Sequence, residues 1–198
     1  MRRLLAAATL LAATFAHAQQ PAKPVDVAGV KYAPEITVAN TKLALNGAGI
    51  RHKFVVKVYT AGLYLPSKAS TTDAVLDMAG PKRLHVVMLR DVDGNDLGKL
   101  FVKGMQDNSS RAEFGKSITG TVKIGEIFSK RKQVKAGESF SIEWIPGAGT
   151  MVLLNGEPQS EPIKEPEFFR SMMRIWLGDK PADHLLKDAL LGQAATTN

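Results

Sequence analysis

The side chains most able to do chemistry in this sequence gather where Gly47-Ala48-Gly49-Ile50-Arg51 runs into Lys53-Phe54-Val55-Val56-Lys57-Val58-Tyr59-Thr60-Ala61-Gly62-Leu63-Tyr64. A guanidinium pairs bidentately with a carboxylate, or holds developing oxyanion charge in a dry site, and a phenol donates one further bond. Arg51 and Tyr59 are therefore the types an acid group needs. The same two residues would also serve as an exposed turn residue and a packed strand residue, and spacing alone leaves both readings open.

Other chemistry is thin. Beyond residue 18 the histidines are His52, His85 and His184, none at ligand spacing from another, and each suits a strand or the surface. His85, or else His52, is the one alternative worth testing, as a haem ligand. Asp91, Asp93 and Asp96 lack the spacing and the closing glutamate of a calcium loop and read as turn and cap residues. There is no Gly-Xaa-Ser-Xaa-Gly elbow, phosphate loop, dinucleotide fingerprint or His-Glu-Xaa-Xaa-His, and there are no cysteines. The common hydrolase, nucleotide, zinc and thiolate chemistries are excluded, and no metal or cofactor is expected.

The elements that must position Arg51 and Tyr59 follow from periodicity. Leu43 to Leu65 is the longest β-rich stretch and reads as paired strands, with Phe54, Val56, Val58, Thr60 and Gly62 on one face and Lys57, Tyr59 and Ala61 on the other. Val25 to Val38 predicts one or two short strands broken at Pro34. Thr71 to Ala79 predicts a helix, Arg83 to Leu89 a strand, and Asp93 to Asn108 a helix whose Leu97, Leu100, Phe101, Gly104 and Met105 share a side. Residues 111–133 favour helix, although Thr119-Gly120-Thr121 argues against it. Glu138 to Ile145, Thr150 to Leu154 and Pro158 to Ile163 read as a meander with turns at Pro146-Gly147-Ala148-Gly149 and Asn155-Gly156. Glu165 to Leu177 is a dense apolar helix, whose Phe168, Phe169, Met172, Met173 and Trp176 suit core or a lipid pocket, and Ala182 to Leu191 is a short amphipathic one. Runs of strands and runs of helices without βαβ units indicate α+β.

At the level of the whole chain, Arg2 and Arg3, the apolar Leu4 to Phe15 and the small-residue site Ala16-His17-Ala18 form a secretory signal over residues 1–18. The apolar run is shorter than the ~20 residues that span a bilayer, so the mature chain, from about Gln19, is expected to be exported to the periplasm with no integral membrane segment. Residues 19–27 read as a flexible leader, 28–192 as the domain and 193–198 as a tail. The chain carries 26 basic and 19 acidic side chains, a net charge of +7, and loses Arg2 and Arg3 on processing. Its dense basic run, Lys130-Arg131-Lys132, reads as a solvated face and not a nucleic-acid site, which needs stacking or base-reading residues beside the charges.

The Gly-Xaa-Gly-Xaa-Arg turn, the lysine-containing strand ending in Gly62-Leu63-Tyr64, the later Ile175-Trp176-Leu177-Gly178-Asp179 with its following short helix, and Glu138 to Gly156 together resemble the chalcone isomerase family, most of all its bacterial exported branch, over most of residues 28–192. That resemblance implies an open-faced β-sandwich, a large antiparallel sheet covered by a layer of helices with a ligand cleft between them. It also implies a site: Arg51 as the polarising or, in an enzyme, catalytic group, with Tyr59, Thr60, Ile175 and either Asp107 or Asn108 beside it. True isomerases close a flavanone ring without a cofactor. Here Tyr59 stands where they use a threonine, Ile175 where they carry a hydroxyl, and Leu100 or Phe101 where a tyrosine belongs. The resemblance thus implies non-catalytic binding of a small apolar or amphipathic acid, as in the family's fatty-acid-binding relatives, with the intramolecular lyase as the alternative and haem binding as a second. No protein partner is indicated.

Overall fold

The structure, a computed structural model, describes residues 23–193, so the expected signal segment and most of the tail lie outside the described residues. Strands β1 (Val25–Val27), β2 (Val30–Tyr32), β3 (Glu35–Val38), β4 (Thr41–Lys53) and β5 (Val56–Leu65) lead to helix α1 (Thr72–Asp77) and strands β6 (Lys82–Met88) and β7 (Val92–Asp93). Helices α2 (Gly94–Asp107), α3 (Arg111–Lys116) and α4 (Ile118–Ser129) follow. Then come β8 (Gln133–Val134), β9 (Ser139–Ile145), β10 (Gly149–Leu154), β11 (Glu157–Pro158), α5 (Pro166–Leu177) and α6 (His184–Leu190). Seven strands form one antiparallel sheet in the order β11-β10-β9-β6-β5-β4-β3. The helices cover one face, giving the expected α+β fold. Among the described residues no helix is long and apolar enough to cross a membrane.

Pairing fixes which residues look at the helices. Arg51 pairs with Tyr59, and Tyr59 with Met88, so these three share a face, as do Gly49, Ala61 and Val86. The main core lies on this side, where Phe101, Phe128, Phe140 and Trp176 are all buried. The opposite face carries a smaller cluster of Tyr32, Val38, Leu43, Leu45 and Tyr64. Because β5 is covered on both sides from Val58 onward, its residues are buried irrespective of alternation.

Two bulges break the ladder. Asn46 is the extra residue on β4 between the Leu45–Tyr64 and Gly47–Leu63 pairs, and Val58 the extra residue on β5 between Arg51–Tyr59 and His52–Lys57. The second re-aims Val58 toward the helix layer, where it joins the core beside Tyr59. Strict alternation from the sequence placed Val58 on the other face, and no periodicity argument can see an extra residue of this kind.

Three further expectations are corrected. The stretch 19–27 was expected to be a flexible leader, but its Val25–Val27 portion is β1, hydrogen-bonded to β2. Phe54 and Val55 were expected within a strand and instead form the two-residue turn between β4 and β5, each 92 % exposed. Residues 111–133 were favoured as helix, and α3 and α4 bear this out as far as Ser129, but Gln133 opens β8, and Ile118 and Val122 face solvent while Thr121, Ile124 and Phe128 are buried. Thr119-Gly120-Thr121 does not interrupt α4. Gly120 is the contact with α5, since a Cβ there would sit 2.4 Å from the Phe168 ring, and the Thr121 hydroxyl is absorbed by a 2.8 Å bond to the Ser117 carbonyl. Asp93 caps α2 by accepting from Asp96 N, and Asp91 accepts from Ala136 N, as the capping reading expected.

Candidate functional site

A cavity of about 210 Å³ lies between the helix-facing ends of β4, β5 and β6 and the helices α2 and α5. Val58, Met88, Val92, Leu97, Leu100, Phe101 and Ile175 make it apolar, and Pro181 and Ala182 close one side. The polar groups are few: Arg51, Tyr59, Lys103, Asp107 and Lys180. An apolar cleft with a small number of convergent polar groups is the usual form of a ligand site.

Arg51 enters from the last regular pair of β4. Its guanidinium carbon lies 5.5 Å from the centroid of the Tyr59 ring, a cation–π contact, and its Nε is buried with no hydrogen-bond partner among the described residues. A buried charged N–H without an acceptor is costly, on the order of 1–3 kcal/mol or more, unless something fills the place of the missing partner. The carboxylates of Asp107, which lines the cavity, and Asp183, which acts on Tyr59, are engaged elsewhere. Asp183 accepts from His52 N at 2.7 Å and caps α6 through Leu186 N, and Asp107 holds Lys103 at 2.6 Å.

Tyr59 is 5 % exposed, and its hydroxyl accepts the Trp176 indole N–H at 2.8 Å. Burial pushes its pKa up to about 12, partly offset by the Arg51 charge and the Trp176 bond. The phenol is therefore neutral near pH 7, and its own O–H remains to be donated. Arg51 and Tyr59 thus put a cation and a neutral phenol side by side in the lining of one apolar cavity.

The remaining expected residues divide. Ile175 lines the cleft and packs against Gly104 of α2, and Leu100 and Phe101 both line it. Asp107 lines the cleft, whereas Asn108 does not: its Nδ2 donates to the Gly104 and Lys180 carbonyls, and its Oδ1 accepts from Lys180 N. Asn108 is thus a positioning residue that pins the turn leading to Pro181 and Ala182. Thr60 is a correction. It lies on the far face of the sheet, fully buried beneath Tyr32, whose hydroxyl donates to it at 2.8 Å, so it cannot meet a ligand in the cleft. Of the α5 apolar residues only Ile175 reaches the cavity, while Phe168, Phe169, Met172, Met173 and Trp176 are core. Sequence reasoning missed Val58, which the bulge brings in, Lys180, which the turn after α5 brings in, and Lys103 of α2 and the Trp176 bond to Tyr59, which depend on how the helices pack on the sheet.

His85 also faces away from the cleft. Its Nδ1 is 2.9 Å from the Ser141 hydroxyl, and its ring stands edge-on to Tyr32 with centroids 6.2 Å apart. Burial, and secondarily the Arg83 charge, lower its pKa from 6.5 to about 4. The folded chain thus keeps this ring neutral where the unfolded chain protonates it, so its contribution to stability is present above pH 6.5 and is lost as pH falls toward 4. Urea unfolding at pH 7 and pH 4.5 is expected to differ by about 2–3 kcal/mol from this residue, and the His85→Gln variant to show a correspondingly smaller difference. An unchanged difference would remove His85 as the source.

A family model described as chalcone isomerase-like matches residues 24–192. No curated protein matches the chain significantly in sequence. Among solved structures, a fatty-acid binding protein of Arabidopsis thaliana superposes with a TM-score of 0.66 at 13 % identity, covering 82 % of this chain and 92 % of its own. At that identity the likeness concerns the fold, which is the one the sequence resemblance implied. With the family model spanning nearly all the described residues, the chain belongs to the chalcone isomerase-like family.

Proposed function

We infer that the protein binds a small apolar or amphipathic acid, its carboxylate held by Arg51 and Tyr59 and its chain lying among Leu97, Phe101 and Ile175. The observation that carries this reading is the Arg51 guanidinium set 5.5 Å from the ring of a protonated Tyr59, both lining the same apolar cavity. A carboxylate supplies acceptors to both donors, and charge-assisted bonds of this kind are the strong ones. The fatty-acid-binding activity of the structural neighbour is consistent with this chemistry. The cavity of about 210 Å³ lies below the ~300–1,000 Å³ typical of drug-sized ligands, so it suits a short acid, or the head and first part of a longer one emerging past Leu100. The signal-like residues 1–18 support a place of action in the periplasm, which N-terminal sequencing of the protein recovered from that compartment tests.

The test is calorimetric titration with decanoate, alongside native mass spectrometry of protein purified without detergent. Arg51→Ala is expected to weaken decanoate binding about 30-fold, near 2 kcal/mol, and to empty any co-purified acid. Because the substitution also removes an unpartnered buried N–H, thermal stability should hold or rise. Equal decanoate affinity in the two chains would overturn the assignment. Acceleration of 2'-hydroxychalcone closure, lost in Arg51→Ala, would replace it with the lyase.

A further inference from the structure

The β4–β5 turn has a composition that the fold does not explain. A two-residue hairpin loop with positive φ at its first position ordinarily holds glycine or asparagine there. Here that position is Phe54, at φ +56°, followed by Val55, and both side chains are almost wholly in solvent. An aromatic in the left-handed region is strained, and an exposed apolar pair gains nothing from packing. Val56, the next residue, is also exposed. The chain thus holds an apolar tip outward at a cost to its own stability.

The same end of the sheet carries a run of cations. Lys53 and Lys57 flank it on the two strands. Leu89 N donates to Val58 O, Met88 N to Glu138 O and Gly137 N to Met88 O, so the chain leaving β6 and the chain entering β9 reach the same end of the sheet. The β7–β8 pair, Val92–Val134 and Asp93–Gln133, brings the Lys130-Arg131-Lys132 run there as well. Lys53, Lys57, Arg90, Lys132 and Lys135 are all exposed on this end, and Lys130 lies beyond them toward Gln159 and Ser160 at the β11 edge. The acids among them are occupied with backbone: Asp91 accepts from Ala136 N, Asp93 from Asp96 N and Glu138 from Lys135 N, the last also pairing with Arg131.

We propose that the Phe54–Val55 tip and the basic end of the sheet around it dock this protein on an anionic lipid bilayer. A short apolar projection flanked by lysines at a basic end of the sheet suits the interface, where apolar side chains enter the headgroup boundary and ammonium groups meet lipid phosphates. The run Lys130-Arg131-Lys132, which as sequence reads only as a solvated face, becomes part of that contact. Arg51 lies three residues from the tip and Tyr59 four, about 10 Å along the strands, so docking places the cleft close to the surface from which an apolar acid would come.

The docking rests on the surface and not on the ligand reading. It is tested by co-sedimentation of the protein, in the form the producing cell yields, with vesicles of phosphatidylcholine alone or mixed with phosphatidylglycerol. Binding is expected to the mixed vesicles, to weaken in high salt, and to fall about ten-fold in Phe54→Gly/Val55→Ser and in Lys130→Glu/Lys132→Glu. Phe54→Gly relieves the positive φ, so its melting temperature should hold or rise while docking is lost, which separates docking from folding. Arg51→Ala should dock like the parent, so loss of the acid and loss of docking are read apart. Failure of the parent chain to bind mixed vesicles, or equal binding by the tip variant, overturns the proposal; a dimer that only the tip variant breaks, without vesicle binding, assigns the tip to a second copy instead.

Discussion

Gly47→Ala is expected to cost at least about 3 kcal/mol of stability and to loosen the candidate site along with the fold. A Cβ at this position would lie 1.9 Å from the Ala189 carbonyl oxygen and 3.1 Å from that of Leu190, both backbone atoms of the α6 end. Neither side can yield cheaply. β4 is held to β5 through the Gly47–Leu63 pair, and α6 is fastened to it by Asp183 accepting from His52 N and by Asn46 Nδ2 donating to Leu190 O at 2.7 Å. Lys187 further donates to the Gly178 carbonyl at 2.9 Å, tying α6 to the end of α5. Moving α6 away also displaces Pro181 and Ala182, which wall the cleft just before it. Urea denaturation should show a lower midpoint at nearly constant slope, and decanoate affinity should fall in parallel, unlike Arg51→Ala, where stability is retained. Gly115→Ala is the control, since nothing lies within 4 Å of its would-be Cβ in α3 and helix propensity favours alanine by up to about 1 kcal/mol. A Gly47→Ala chain as stable as the parent would show that the α6 seat is not as tight as its contacts imply.

Much of this arrangement was legible before any coordinates. Period-2 runs located the main strands, the capping Asp93 and the run from Thr71 located two helix starts, and the Arg51 to Tyr64 motif led to the fold and to a candidate site. What stayed hidden depends on contacts between segments distant in the chain. The bulge at Val58 is an extra residue against β4, invisible to a count along β5 alone. Thr60 looks like a neighbour of Tyr59 in sequence but is its opposite across the sheet, and two-sided burial removes the polarity signal that would have revealed this. The choice between Asp107 and Asn108 turned on one helical step of α2, which only the Lys180 turn decides by capturing Asn108. Gly120 looked like a breaker because its reason, the Phe168 ring, lies in another helix. Local chemistry was readable; close approach between elements was not.

Trp176→Ala is expected to cost about 3–5 kcal/mol, comparable to or larger than the Gly47 effect, by removing the largest fully buried side chain. The indole packs against Phe101, with ring centroids 6.0 Å apart, so its loss empties space directly behind the cleft wall. The informative companion is Trp176→Phe. It keeps most of the volume but deletes the N–H that reaches Tyr59, leaving a buried phenol oxygen without its donor, a change worth about 1–2 kcal/mol. A hydroxyl that accepts a bond is polarised to donate a better one, so the Tyr59 O–H should become a weaker donor once the indole is gone. Decanoate affinity is then expected to fall a few-fold in Trp176→Phe, and Tyr59→Phe should reproduce that fall. In the double variant the two losses should not add, because each acts through the same hydroxyl. Additive losses would mean that Trp176 influences the cleft through packing alone, and Tyr59 would then hold its ligand without help from behind.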